Sequence, residues 1–459
     1  MTYILPEMNF NLLKYFFLLL LISCNKDTDK NTLPYNVNGR VVNQQGMGIA
    51  GVKITYDDSQ FVTTDDQGYW MMSGISAAQT ITPTYSSYTF TPENIRISAG
   101  INGVLFIGTE IPDDVETQIL NWLDAQQLPN GLLESAEDGN VVSPYDNALA
   151  ALVFIMNGDY AKAEKIFDYF NSRIDTELNS GVGGFSQLRD RTGTPNGHRW
   201  MGDNAWLLIA LNHYKDRTSK TTYDDLSSAI STWLEDLQDV DGGLFAGYGA
   251  DNKLLNYKVT EGNIDAFNAI AGYTDFHHKL LNYLKENRWD ALDKNLVSWP
   301  DNPKYLYALD VQAWSYCMFE NYPFSALTTA QRFLTTKTAT NGALVTGYCF
   351  DEDKDTVWPE GTGQMALAFH LAGMTTEKNY YLSEMEKLLI TSQKYPNTAG
   401  FPYASNPATA YGADLLWTGA DTKIAISGDA WYLFAKRGFN PFGVGRGKDV
   451  PEGDVFWRE

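Results

Sequence analysis

Gly202-Asp203-Asn204-Ala205-Trp206-Leu207-Leu208-Ile209-Ala210-Leu211 opens on a carboxylate and then runs apolar on every side. A helix with no polar face is buried all round. Residues 147–155 and 365–371 read the same way, whereas 161–171 and 224–238 are amphipathic with a charged face. The two kinds alternate along the chain, so the apolar helices form an inner ring and the amphipathic ones an outer ring. About twelve helical segments fit residues 111–442, starting near Asp113, Asp146, Asp159, Asp203, Tyr223, Glu261, Thr274, Asp310, Pro323, Glu360, Thr375 and Asp421. Six inner and six outer helices make an (α/α)6 toroid. Successive inner starts lie 49 to 61 residues apart, one helical hairpin plus a loop. The longer loops precede the inner helices, which gathers the irregular chain on one rim.

The 459 residues are 44% hydrophobic, enough for a large core and more than one domain. A net charge of −22 excludes a nucleic-acid binder, which needs clustered Lys and Arg on phosphates. At the N-terminus, the apolar run 15–22 after Lys14 is too short to span a bilayer and has the length of a secretory h-region. Its end, Leu21-Ile22-Ser23-Cys24, resembles the bacterial lipobox, which implies a signal peptide over 1–24 and lipidation of Cys24. Residues 25–34 are a charged tether, similar to the export signal of surface lipoproteins. The expected location is the cell envelope, lipid-anchored in the outer membrane and surface-exposed. The two remaining cysteines, Cys317 and Cys349, sit in apolar or aromatic surroundings and are expected as buried free thiols.

Residues 35–109 are rich in β-branched and aromatic residues with turn signals such as Asp65-Asp66-Gln67-Gly68. They read as a small all-β sandwich. Val37-Asn38-Gly39-Arg40-Val41, Gly48-Ile49-Ala50-Gly51-Val52 and Gly68-Tyr69-Trp70 resemble carboxypeptidase-regulatory-like domains, which implies an accessory module. Trp70, Tyr85 and Tyr88 are candidates for sugar contact, with core packing the preferred reading. The chain is thus a β-sandwich, a toroid over 111–442 and a tail over 443–459.

Each expected inner helix opens on a carboxylate: Asp146, Asp203, Glu261, Asp310, Glu360 and Asp421. Asp is a favoured N-cap, so capping alone accounts for four of them. Glu is a poorer cap, and Glu261 and Glu360 are each followed by Gly, a weak helix former that signals close approach to the backbone. An aromatic precedes each carboxylate within four positions: Tyr145, Trp200, Tyr257, Tyr307, Trp358 and Trp417. Carboxylates hydrogen-bond hydroxyls and move protons, and aromatic faces receive the apolar faces of sugars.

Tyr145-Asp146-Asn147-Ala148-Leu149, Gly202-Asp203-Asn204-Ala205-Trp206, Glu261-Gly262-Asn263 and Trp358-Pro359-Glu360-Gly361 resemble inner-helix motifs of the six-hairpin glycosidase superfamily. The resemblance implies a monomeric glycoside hydrolase acting on an oligo- or polysaccharide through a carboxylic acid and a carboxylate base. Glu360 is implied as the acid, and Glu261, Asp203 and Asp146 as candidates for the base. Tyr145, Trp200, Arg199, Asn204, Asn263, Asp310, Trp358, Trp417 and Asp421 are expected to bind substrate. A glycan-binding lipoprotein without catalysis uses the same features. A polysaccharide lyase stays open because Arg189, Arg191, His198 and Arg199 crowd the loop before Asp203, although pairing with acidic neighbours accounts for them too.

No cofactor or metal is expected. The five histidines lack ligand spacing, and the adjacent His277-His278 pair reads as a solvated face. No phosphate loop or nucleophile elbow occurs. Trp233-Leu234-Glu235-Asp236 through Asp241-Gly242-Gly243-Leu244-Phe245 is similar to helix-end repeats of other α-toroids, and its Gly pair is expected to end an outer helix.

Overall fold

The computed structural model describes residues 34–44, 46–57, 60–85, 88–110, 114–299, 306–411 and 414–458. Cys24, the signal segment and most of the tether lie outside the described residues. The chain divides into two compact units, one strand-rich over most of 34–108 and one from 109 onward.

The first unit has two four-stranded sheets. One is ordered β4 (Tyr69–Ile75), β1 (Tyr35–Asn43), β8 (Ile101–Glu110), β6 (Tyr88–Thr91); the other β3 (Gln60–Thr63), β2 (Lys53–Asp57), β5 (Gln79–Thr84), β7 (Ile95–Ile97). Strand β1 pairs antiparallel with β4 and parallel with β8. Alternation buries Val37, Val41, Ile54, Trp70, Met72, Ile81 and Phe106. The Asp65–Gly68 turn joins β3 to β4: the Asp65 carboxylate accepts from Gln67 N and Tyr69 N, and Gly68 takes φ +79°. Trp70 is core, against Phe106 and above Gly39, where a Cβ would lie 2.7 Å from its ring.

In the second unit, α2 (Pro144–Asn157), α4 (Met201–Thr218), α6 (Thr260–Ala269), α8 (Leu309–Met318), α10 (Pro359–Leu371) and α12 (Ile426–Arg437) each pack on the next, and α12 returns to α2. They close a ring of six. Outside it lie α1 (Val115–Gln126), α3 (Tyr160–Asn171), α5 (Asp224–Asp236), α7 (Asp275–Asn287), α9 (Ser325–Thr329) and α11 (Thr375–Glu386). Inner helices are buried through most of their length because both faces are covered.

A side chain at one fixed position recurs around the ring. Counting from the residue before each inner helix, the fourth position is Asn147, Asn204, Asn263, Gln312, Thr362 and Asp429. Asn147 accepts from Leu133 N and donates to Leu133 O and Ser143 O. Asn204 does the same with Phe185 and Trp200, and Asn263 with Leu244 and Val259. Thr362 accepts from Tyr348 N, Asp429 from Phe401 N, and Gln312 donates to Leu296 O. Each clasp ties the preceding loop to the start of an inner helix, satisfying backbone groups that burial would leave unpaired.

Four expectations change here. The last inner helix starts at Ile426, so Asp421 lies in a turn before it, accepting from Ala408 N. The fifth outer helix is only Ser325–Thr329; a hairpin of Leu334–Thr338 and Leu344–Tyr348 follows, because Leu334-Thr335-Thr336-Lys337-Thr338 favours extended backbone. His277 is buried, not solvated, and forms a capping box with Thr274 at the start of α7. The Gly242-Gly243 pair lies beyond the end of α5, in a tight loop where a Cβ on Gly242 would meet Lys279 O at 2.2 Å. Cys317 and Cys349 are buried and free.

Candidate active site

The first turns of the inner helices deliver the carboxylates, but not as caps. The residues before these helices are Ser143, Trp200, Val259, Ala308, Trp358 and Ala425, and only Ser143 makes a side-chain cap. Asp146 and Asp203 occupy the third helical position; Glu261, Asp310 and Glu360 occupy the second. The capping explanation therefore fails for all of them, and their side chains serve another purpose.

That purpose is a shared cavity. Asp203, Glu261, Asp310 and Glu360 line a space of about 220 Å³ together with Asp265, Tyr145, Trp200, Trp206, Trp314, Trp358 and Trp417. A second space of about 550 Å³ shares Tyr145, Asp203, Glu360 and Trp417 and adds Asp146, Tyr403, Gln187 and Lys423. Glu360 and Asp203 stand where the two meet.

One helical turn further along, the equivalent positions of the six inner helices are Leu149, Trp206, Asp265, Trp314, Gln364 and Trp431, of which Trp206, Asp265 and Trp314 line the inner cavity. The three indoles touch one another, with centroids 5.2 to 6.3 Å apart, and form an apolar floor with Phe442. Gln364 donates to Glu360 Oε1 at 3.2 Å. Asp265 is buried, and its Oδ1 takes no hydrogen bond. The sequence reading missed Asp265, although its place four residues beyond Glu261 puts both on one helix face.

Burial sets the electrostatics. Desolvation raises the Glu360 carboxyl to about 8, opposed by the Tyr145 hydroxyl, which donates to Oε1 at 2.5 Å. Trp431 Nε1 donates in turn to the Tyr145 oxygen at 3.2 Å. Burial raises Asp203 to about 8 against a 3.4 Å hydrogen bond from Tyr145 N. Glu261 reaches about 8 through burial and then the Asp310 charge, while burial takes Asp310 to about 6. Asp265 is pushed well above the carboxylate range by burial and then by Glu261 and Asp310. Asp146 is raised by burial, but its Oδ2 accepts from Ser143 Oγ at 2.8 Å and Tyr403 Oη at 3.2 Å, which favour the charged form.

Of the expected aromatics, Tyr145, Trp200, Trp358 and Trp417 line the cavity, and Trp417 stacks on Trp358 and Tyr403 with centroids 5.9 and 5.6 Å apart. Tyr257 and Tyr307 do not line it; Tyr307 bonds Asp290 and lies under Arg332. Asn204 and Asn263 are clasps rather than sugar ligands. Arg199 donates to Gly184 O at 2.5 Å, away from the cavity, and Asp421 holds the 404–408 loop. The basic cluster is already paired: Arg189 with buried Glu177 at 2.9 Å, Arg191 with Glu134 at 3.5 Å.

The glycines after the two glutamates mark close helix packing. A Cβ on Gly262 would lie 2.6 Å from Met201 at the start of α4; one on Gly361 would lie 2.2 Å from Trp358 and 2.6 Å from Leu309 at the start of α8.

No family model and no curated protein matches this chain. Solved structures do. An α-amylase from Clostridium perfringens superposes with a TM-score of 0.50 at 13% identity, over 72% of this chain and 100% of that one. A cellobiose 2-epimerase from Spirochaeta thermophila gives 0.50 at 11% identity, over 72% and 94%. The helical unit shares the fold of these carbohydrate-active enzymes. At such identity the likeness is one of fold.

Proposed function

We propose that this chain hydrolyses a glycosidic bond of an oligo- or polysaccharide, with Glu360 as general acid and Asp146 as general base. The observation that carries the reading is Glu360 itself: buried, held up to about 8, and fixed by the Tyr145 hydroxyl where the two cavity halves meet. A carboxyl that burial holds up to about 8 can serve as the general acid that glycoside hydrolysis requires. Glu360 protonates the glycosidic oxygen as the bond to the anomeric carbon breaks. Asp146, whose hydroxyl partners favour its ionised form and whose Oδ1 is unpartnered, takes the proton from the attacking water. Of the other candidates for the base, Asp203 and Glu261 both sit near 8 and stay protonated at pH 7. Trp200, Trp358 and Trp417 supply the aromatic wall of the cavity.

The arginines before Asp203 do not serve a lyase, since Arg189 and Arg191 are ion-paired and Arg199 is turned onto Gly184 O; Lys423 is the basic residue that lines the cavity, and unsaturated products absorbing in the ultraviolet would reveal a lyase. The deciding experiment is Glu360→Gln on a broad glycan panel. Loss of product with retained binding supports the assignment; an unchanged rate removes it. Binding without product in the unaltered protein, even after long incubation, points to a non-catalytic glycan-binding role.

The lipobox supports a companion proposal, that Cys24 carries acyl chains and anchors the chain to the outer membrane. Metabolic labelling with a tagged fatty acid tests it, with Cys24→Ala expected to abolish the label.

A further inference from the structure

One sheet of the first unit turns an apolar face outward. Strand β1 lies between β4 and β8, and its register sets Tyr69 beside Arg40 and Arg40 beside Leu105, with Met71 and Ile107 in the flanking rows. Alternation sends Val41, Met72 and Phe106 into the core and leaves Tyr69, Met71, Leu105 and Ile107 between 39% and 59% exposed. Arg40 lies over the Tyr69 ring, 5.0 Å from its centroid, and donates through Nε to Gln67 O. The chain carries 56 Asp and Glu at a net charge of −22, yet β4, β1, β8 and β6 hold none before Glu110, the last residue of β8. Arg40 is the one charged residue of these strands ahead of Glu110. Contiguous exposed apolar side chains of this kind mark a contact surface.

The place where the chain enters this sheet says what the surface meets. Strand β1 begins at Tyr35, eleven residues after Cys24, the residue proposed above to carry acyl chains. Even fully extended, eleven residues span at most about 40 Å, so an acylated chain keeps the sheet close to the bilayer. A contact made on so short a link is intramolecular, at an effective concentration of about millimolar, and a patch too weak to hold a membrane alone becomes occupied. A second copy of the chain is the poorer occupant, because it brings a like charge of −22.

We infer that the face formed by Tyr69, Met71, Leu105 and Ile107 rests on the lipid surface in which Cys24 is anchored. The apolar side chains enter the boundary between headgroups and acyl chains, Tyr69 keeps its hydroxyl at headgroup level, and Arg40 serves the phosphates. This rests on the lipidation of Cys24 and is independent of the hydrolase reading.

Spin labels test it. Cys317 and Cys349 are buried, so a label reacts with an introduced thiol alone. The positions are Met71→Cys, Ile107→Cys and, as a control on the other sheet, Phe61→Cys, where Phe61 is also exposed. The full acylated chain is reconstituted into vesicles of phosphatidylethanolamine and phosphatidylglycerol, and collision of each label with a water-soluble nickel complex is measured. Relative to the Cys24→Ala chain in solution, labels 71 and 107 should lose about fivefold or more of that collision rate, as entry of about 5–10 Å into the headgroup boundary requires, and label 61 less than about twofold. Met71→Glu combined with Leu105→Glu, checked for an unchanged melting transition, should restore the rate at 107 while the chain still floats with the vesicles. Labels 71 and 107 as open to the complex as label 61 overturn the docking and leave the anchor standing. A chain that does not float overturns both, because Cys24 then holds no acyl chains. Equal shielding in the Cys24→Ala chain without vesicles assigns the face to a second copy and overturns the lipid contact.

Discussion

The Tyr145 hydroxyl donates to Glu360 Oε1 at 2.5 Å, joining the first turn of α2 to the first turn of α10 across the ring. A phenol donating to a carboxylate favours its charged form, so this bond lowers the Glu360 pKa from where burial alone would put it. Tyr145→Phe should therefore raise that pKa, moving the alkaline limb of the kcat/KM profile to higher pH. A hydrogen bond to a charged group contributes about 1.5–3 kcal/mol, so the profile should shift by roughly one to two units. A pH–rate profile checks both sign and size.

The cavity carboxyls also make stability depend on pH. Asp203, Glu261 and Glu360 have folded-state values near 8 against unfolded values near 4. The folded chain therefore binds more protons than the unfolded chain between those limits. Stability is highest at and below the unfolded value and declines as pH rises toward 8, by about 1.4 kcal/mol for each unit of displacement of a group. The melting temperature should fall from pH 5 to pH 8. Glu261→Gln should raise it at pH 8 and change it little at pH 5, as removal of a group that favours function over stability would.

The alternation of apolar and amphipathic helices was legible because its cause is local: a helix covered on both sides has no polar face. The carboxylates could be placed on one rim for the same reason. What each one does was not legible, because Asp146, Asp203 and Asp310 look like helix caps until the backbone shows them two or three residues inside the helix. Asn204 and Asn263 looked like sugar ligands because they follow Asp203 and Glu261 by one and two residues, yet the helical rotation of about 100° per residue turns them away from the carboxylates and onto the loops. Asp265 was missed since only helix starts drew attention. Asp421 was misplaced because the loop before α12 carries its own acidic turn.

The clasp reading gives a prediction of its own. Asn204 accepts from Phe185 N at 2.9 Å and donates to Phe185 O and Trp200 O at 3.1 and 2.9 Å. Asn204→Ala leaves all three backbone groups without that partner in a buried setting, at a cost of about 2–4 kcal/mol. A sugar ligand would behave otherwise, weakening binding with the fold intact. Denaturant unfolding at fixed pH separates the two, since the clasp predicts a lower midpoint with unchanged slope.

Gly361 tests how the catalytic turn is held in place. A Cβ there would lie 2.2 Å from the Trp358 ring and 2.6 Å from Leu309, and neither can retreat: Trp358 is buried and packs on Phe350 and Trp417, while Leu309 is fully buried at the start of α8. Gly361→Ala must push the start of α10 away from α8, an overpacking cost of about 1–3 kcal/mol. Glu360 is the neighbouring residue, so the same shift pulls its carboxyl off the Tyr145 hydroxyl and out of line with the scissile oxygen. A displacement of about 1 Å is enough to lower kcat about a hundredfold. The melting temperature and kcat should therefore fall together.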